Sequence, residues 1–249
     1  MDLYSRKIIR FESVASTNSE AFRLNDLEPL GEGTVILAWH QYAGRGQAKT
    51  VWESQAGKNL TFSLVLRPLF LPPSRQFLLN QAIALGIREG ISRLIHDEKF
   101  SIKWPNDIYY KGGKVSGMLI ENQILGAAFG LSVAGIGVNL NQEVFVSDAP
   151  NPLSLKNING GEYDSDTALE ACLRAIFKWY EKLKDRRFEE IRQAYLEHLL
   201  GLGKTMGFAC ASGTFSGVIR GVDEFGKLVI ERENGQKQAF DFKKVSFLF

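Results

Sequence analysis

In the stretch Ile102-Lys103-Trp104-Pro105-Asn106-Asp107-Ile108-Tyr109-Tyr110, the proline fixes its own φ and confines Trp104 to extended geometry, so a strand should end at Lys103 with a turn behind it. A cation, an amide and a carboxylate sit within those five central residues. Such a joint holds the Lys103 ammonium at the mouth of a site, an arrangement suited to phosphate chemistry. Taken alone, the stretch is equally compatible with a strand ending in an ordinary amphipathic turn.

A second stretch, residues 41–54, follows a β-rich run and contains Gly44-Arg45-Gly46. The glycines let backbone N–H groups approach an anion, and Arg45 adds a fork of donors between them. A lone Gly-Arg-Gly is more often a flexible surface loop. It is also no P-loop, because Lys49 lacks the Gly-Lys-Ser/Thr ending, and no acidic residue follows where a dinucleotide-binding unit needs one.

Periodicity organises the remainder. Residues 7–11 read as a strand, and Ser16-Thr17-Asn18 before Glu20, Ala21, Phe22 and Leu24 reads as a turn capping a short helix. That turn also directs uncharged donors and acceptors at one spot. Residues 34–40 and 60–67 are expected strands around the Gly44 loop. Pro72-Pro73-Ser74 starts a helix predicted to reach His96, with apolar positions dense enough to pack on a sheet. Residues 100–104, 108–110, 115–121 and 127–140 are further strands whose short turns predict antiparallel pairing. A Pro/Asn-rich loop over 148–159 precedes a helix capped by Asp164 or Ser165 and ending near Lys184, then a second helix over 186–200. Beyond Gly201-Leu202-Gly203, short strands with turns at Asp223-Glu224-Phe225-Gly226 and Asn234-Gly235 predict a small β-barrel leaning on the larger unit. The expected class is α+β: a mixed, largely antiparallel sheet with flanking helices over residues 1–200, and the barrel over 204–249.

At 249 residues with 45% apolar content, the chain can bury one large core and a small second one. A net charge of +2 without any Lys/Arg block does not predict nucleic-acid binding. Cys172 and Cys210 lack paired spacing, and His40, His96 and His198 lack metal-ligand spacing, so neither a disulfide framework nor an intrinsic metal is expected. Residues 1–30 contain no apolar leader core, and no run approaches the ~20 apolar residues that span a bilayer. Cytoplasmic residence without a membrane partner is the expectation.

Together, Ser16-Thr17-Asn18, Gly44-Arg45-Gly46, Lys103-Trp104-Pro105-Asn106-Asp107, the segment from Lys114 to Glu121, and Gly135-Ile136-Gly137-Val138-Asn139 resemble the biotin protein ligases. The likeness covers nearly the whole chain, and its specificity lies in the ordered co-occurrence of the motifs. It implies a catalytic domain related to class II aminoacyl-tRNA synthetases followed by an SH3-like β-barrel. It also implies a two-step reaction: biotin and ATP, with Mg²⁺ on the triphosphate, form biotinyl-5′-adenylate and pyrophosphate, and a lysine of a biotin carboxyl carrier protein domain then takes the biotinyl group. A homodimer is allowed.

By position, Ser16, Thr17, Asn18, Gln41, Gly44 and Gly117 match the biotin pocket of the family. Arg45, Gly46 and Gln47 match the loop that closes over the adenylate. Lys103 matches the lysine contacting the biotin carboxylate and α-phosphate, and Trp52, Asn106 and Asn139 match the nucleotide side. Lys103 and Arg45 are the implied catalytic cations, whereas Asp107 reads either as a turn cap or as a group orienting an amine or metal. One departure stands out. The family loop commonly reads Gly-Arg-Gly-Arg-x-Gly, but here Gln47 replaces the second arginine and Lys49 the third glycine. Whether Lys49 takes over the missing charge is open.

Two rivals follow from the same residues. A lipoate–protein ligase would suit a bare aliphatic pocket, whereas Ser16-Thr17-Asn18 with Gln41 suits a ureido ring. A nucleic-acid-binding regulator would want a basic stripe or a helix-turn-helix. Because the Ser16 turn comes so early, no winged helix is expected before it and no operator binding. Tight, sequence-selective retention of duplex DNA in a gel shift at about 150 mM salt, where weak phosphate contacts are screened, would contradict that expectation.

Overall fold

The computed structural model describes residues 7–46, 50–126, 128–147 and 151–248. Seven strands build the main sheet: β1 (Ile8–Val14), β2 (Val35–Gln41), β3 (Leu60–Leu66), β4 (Phe100–Lys103), β5 (Asp107–Tyr110), β6 (Gly113–Leu125) and β7 (Ala128–Val138). Their order is β1-β2-β3-β7-β6-β5-β4. The neighbours pair antiparallel, as short turns lead one to expect for β4 to β7, except that β1 and β2 run parallel with Ile8 opposite Val35. Helix α1 (Thr17–Leu27) carries the chain between those two strands, and a helical crossover returns it in the same direction.

One face of the sheet packs on α2 (Gln76–Ile95) and α4 (Ser165–Lys184), which supply much of the buried core. A 3₁₀ turn over Pro73–Arg75 precedes α2, so the α-helix starts later than the Pro72 signal suggests, and His96 ends it in the left-handed region. The Asp164 carboxylate caps α4 by accepting from the Thr167 N–H, as expected. Helix α5 (Phe188–Glu197) is followed by a bridge from Leu199 to Ile102 that covers the β4 edge. The segment read as an irregular loop contains a short helix, α3 (Leu155–Asn159), with a capping box between Ser154 and Asn157.

The opposite face changes character along its length. Under α1 it presents Ile36, Val65 and Val133 against Ala21. Two residues further along β3 and β7 the same faces carry Ser63 and Thr61, and Gly135 and Gly137. Apolar cover thus gives way to small and polar groups, and a cavity opens there.

Residues 205–248 form a second sheet of β8 (Thr205–Cys210), β9 (Gly213–Val222), β10 (Leu228–Arg232), β11 (Lys237–Phe240) and β12 (Val245–Leu248), ordered β11-β10-β9-β8-β12. Every pair is antiparallel. Among the described residues no ladder joins β11 to β12, so the sheet is open where a closed barrel was expected. It does lean on the larger unit. Phe208, Ile219, Leu228 and Phe240 belong to the same buried cluster as Phe77 and Trp104.

Candidate active site

The Lys103-Trp104-Pro105-Asn106-Asp107 corner, with a cis Trp104–Pro105 bond, sends successive groups to different partners. The Trp104 ring is 3% exposed, its N–H donates to Gly226 O at 2.9 Å, and Phe242 lies 5.2 Å away by ring centroids. Pro105 O accepts from the Tyr195 hydroxyl at 2.9 Å. The Asn106 amide donates to Met118 O and ties the corner to β6. Asp107 pairs with Lys114 at 2.8 Å, which gives it a structural partner.

Lys103 points into a cavity of about 790 Å³. Its ammonium sits 5.5 Å from the Tyr109 ring centroid and 5.1 Å from that of Phe247, a C-terminal residue. Burial pulls its pKa below the usual lysine range; Asp107 opposes that and Lys114 adds to it. The cation is therefore more enclosed than one at the mouth of a site.

The cavity gathers the motifs. Ser16, Thr17, Asn18, Gln41, Arg45, Gly46, Trp52, Lys103, Asn106, Gly117 and Asn139 all line it. Ser16 caps α1, and Gln41 Oε1 accepts from the Thr17 N–H at 2.8 Å and its hydroxyl at 3.2 Å. Asn18 is committed within the protein: its amide N–H groups donate to Leu119 O and Glu121, and its oxygen accepts from Ser63. It shapes the turn with both of its amide N–H groups spent inside the protein. Gly44 O accepts from Trp52 N–H, and Gly46 N–H donates to Thr50 O, so residues 44–46 run antiparallel to residues 50–52. Gln47 and Lys49 lie outside the described residues. Arg45 donates to Glu121 and to the Ser19 hydroxyl, each at 3.1 Å, so it rests on the Ser16–Asn18 side of the cavity.

The two glycines of Gly135-Ile136-Gly137 explain themselves by close approach. A Cβ at Gly135 would overlap the Asn18 amide, and one at Gly137 would overlap the Trp52 indole. The indole N–H of Trp52 and the Oδ1 of Asn139 are buried without a protein partner. Asn139 is oriented by its own amide, which donates to Lys114 O and Leu153 O. Both residues line the cavity, and a buried donor and a buried acceptor left without partners are uncommon.

Sequence reasoning missed Ser63, Lys114, Glu121 and Phe247 as members of this constellation. Lys114 and Glu121 stand at the ends of a quoted motif and were findable there. Phe247 carries no local signal. Among the described residues no group of three or more His, Cys, Asp or Glu could hold a metal, and no helix is long and apolar enough to cross a membrane.

Comparison with known proteins adds an independent line. Residues 10–139 match the model of the biotin/lipoate A/B protein ligase family, and residues 209–247 match the biotin protein ligase C-terminal domain. The bifunctional ligase/repressor BirA of Bacillus subtilis is 32% identical over 248 residues, covering 96% of this chain and 74% of that protein. The biotin–[acetyl-CoA-carboxylase] ligase of Paracoccus denitrificans is 31% identical, covering 89% of this chain and 93% of that one. In structure, the Aquifex aeolicus biotin protein ligase in complex with biotin and ATP is similar with a TM-score of 0.80 at 28% identity, covering 97% of this chain and 98% of that one.

Proposed function

The chain belongs to the biotin/lipoate A/B protein ligase family, and from that premise we infer that it is an ATP-dependent biotin–protein ligase. The observation that carries this reading is the convergence of five separated motifs on one cavity, with a half-buried ammonium on one wall and an unpaired donor and acceptor on another. In the first step the biotin carboxylate oxygen attacks the α-phosphorus of ATP and pyrophosphate leaves. In the second, a neutral lysine amine of the carrier attacks the acyl carbon, an amide forms and AMP departs.

The chemistry is one of positioning and charge. Carboxylate and triphosphate repel; Lys103 faces the developing charge from a desolvated position, where an electrostatic contact is stronger than in water. Mg²⁺ enters with ATP as the counter-ion of its triphosphate. Arg45 joins the phosphate by exchanging its Glu121 contact for it. Thr17 and Gln41 serve the ureido ring, Asn18 holds their turn, and Trp52 and Asn139 serve adenine. Residues 1–200 act as the catalytic unit and 204–249 as the appended one. The partner is the carrier domain of a biotin-dependent carboxylase, and the cytoplasm is the compartment.

The test is mass spectrometry of candidate carrier domains incubated with protein, biotin and ATP. A biotinyl adduct on one lysine is expected, and its absence from every carrier tried would count against the reading. Calorimetric titration with biotin and lipoate separates the two acids, with heat expected for biotin alone.

The altered loop gives a further expected result. If Lys49 replaces the missing arginine, Lys49→Ala should release preformed biotinyl-adenylate roughly tenfold to a hundredfold faster, the loss of one charged hydrogen bond of ~1.5–3 kcal/mol. An unchanged release rate would reduce Lys49 to a surface charge, and a sharply slower one in Gln47→Arg would identify the natural loop as leaky.

A further inference from the structure

Glu53 follows Trp52 directly, yet its side chain turns away to a different part of the chain. Its Oε1 accepts from Gln142 Nε2 at 2.9 Å and from the Val146 N–H at 3.1 Å, and its Oε2 accepts from the Ser147 N–H at 2.8 Å. Gln142 is itself 2% exposed. Its Oε1 accepts from the Gln55 N–H and from Asn59 Nδ2, and Asn59 Oδ1 accepts from the Leu140 N–H. A chain of one carboxylate and two amides thus fastens residues 53–59 to residues 140–147. The two residues just outside this chain are Trp52 and Asn139, whose unmatched polar atoms lie in the cavity wall. Beyond them the fastened segment alternates: Phe145 and Ser147 line the cavity, while Val144 and Val146 are exposed.

We propose that Glu53, which lines the cavity beside Trp52, is a positioning residue for the nucleotide, holding residues 142–147 as the outer wall of the base-binding side through its hydrogen bonds to them. The proposal rests on the ligase reading, because that reading makes ATP the occupant. Its physical basis is that an irregular segment presents backbone N–H groups that must find acceptors, and a carboxylate taking two of them together with the Gln142 side-chain amide fixes the segment's path. The hydrogen bonds that set Thr17, Gln41 and the Ser16 turn do not involve Glu53, so the substitution should leave biotin binding alone.

Calorimetric titrations of wild type and Glu53→Gln, with ATP and separately with biotin, test it. The glutamine keeps the shape but puts an NH₂ donor where one carboxylate oxygen met N–H groups. ATP affinity is expected to fall about tenfold, the scale of losing a hydrogen bond to a charged group. The biotin dissociation constant should stay within about twofold. Glu53→Asp, which keeps the charge on a shorter arm, should fall between the two, and it carries the test if the glutamine variant does not fold. Unchanged ATP affinity overturns the proposal, and so does parallel weakening of ATP and biotin, the mark of a merely structural role. Wild type binding ATP but not biotin would overturn the ligase reading and leave the ATP comparison intact.

Discussion

Replacing Lys103 with alanine is expected to leave a folded protein whose adenylation rate has fallen by a few hundredfold. A charge-assisted contact made where negative charge accumulates is worth ~3–4 kcal/mol in a transition state. The fold should tolerate the change. Burial lowers the pKa of Lys103, so the ammonium is the form that the folded state disfavours. That penalty is complete below the depressed pKa and disappears above the ordinary lysine value of about 10.4. At neutral pH the alanine variant should therefore unfold no earlier than wild type. Biotin-dependent pyrophosphate release and a thermal melt are the two measurements. Near-normal turnover would sink the assignment of Lys103 as the catalytic cation, and a large drop in melting temperature would contradict the reading of it as a residue held at a cost.

Trp104→Ala should produce the opposite pattern, with stability lost first. The ring is buried between the two sheets, next to Phe242, and its N–H is satisfied by Gly226 O. Truncating a buried tryptophan leaves a cavity worth about 3–5 kcal/mol and strands the carbonyl. For a chain of this size each kcal/mol moves the melting temperature by about 2–4 °C, so a fall of roughly 6–20 °C is expected. Because β12 supplies Phe247 to the Lys103 ammonium, a loosened interface should also cost activity at temperatures well below the melt. A variant melting within about 2 °C of wild type would show that the interface does not depend on this side chain.

How much of this was legible in the sequence depended on how local the signal was. Asp164 followed by a repeating apolar stripe located α4 almost to the residue, because capping and periodicity are both short-range. The five residues of α3 were read as loop, since one turn and a half leaves no stripe to detect; the Ser154-to-Asn157 spacing was the available cue. The sheet was expected to be mixed, but which pair runs parallel was not legible, for another reason. Pairing direction follows from the path of α1 across the sheet, which strand composition does not encode. The motif residues converge on the cavity, but motifs could not reveal who holds whom: Arg45 on Glu121, Asp107 on Lys114, and Lys103 beside a phenylalanine from near the chain's end. Those partners are set by contacts far apart in sequence.

The two bare positions on β7 also bear on inhibition. Where Gly135 and Gly137 form the floor, the cavity is bounded by main chain and by two side chains packed flat against it. The glycine main chain offers a point substitution nothing to trim, and any substitution there that adds bulk would displace Asn18 or Trp52 together with the compound. Escape from such an inhibitor would begin instead at side chains that line the cavity away from those glycines, such as Phe145 and Ser147.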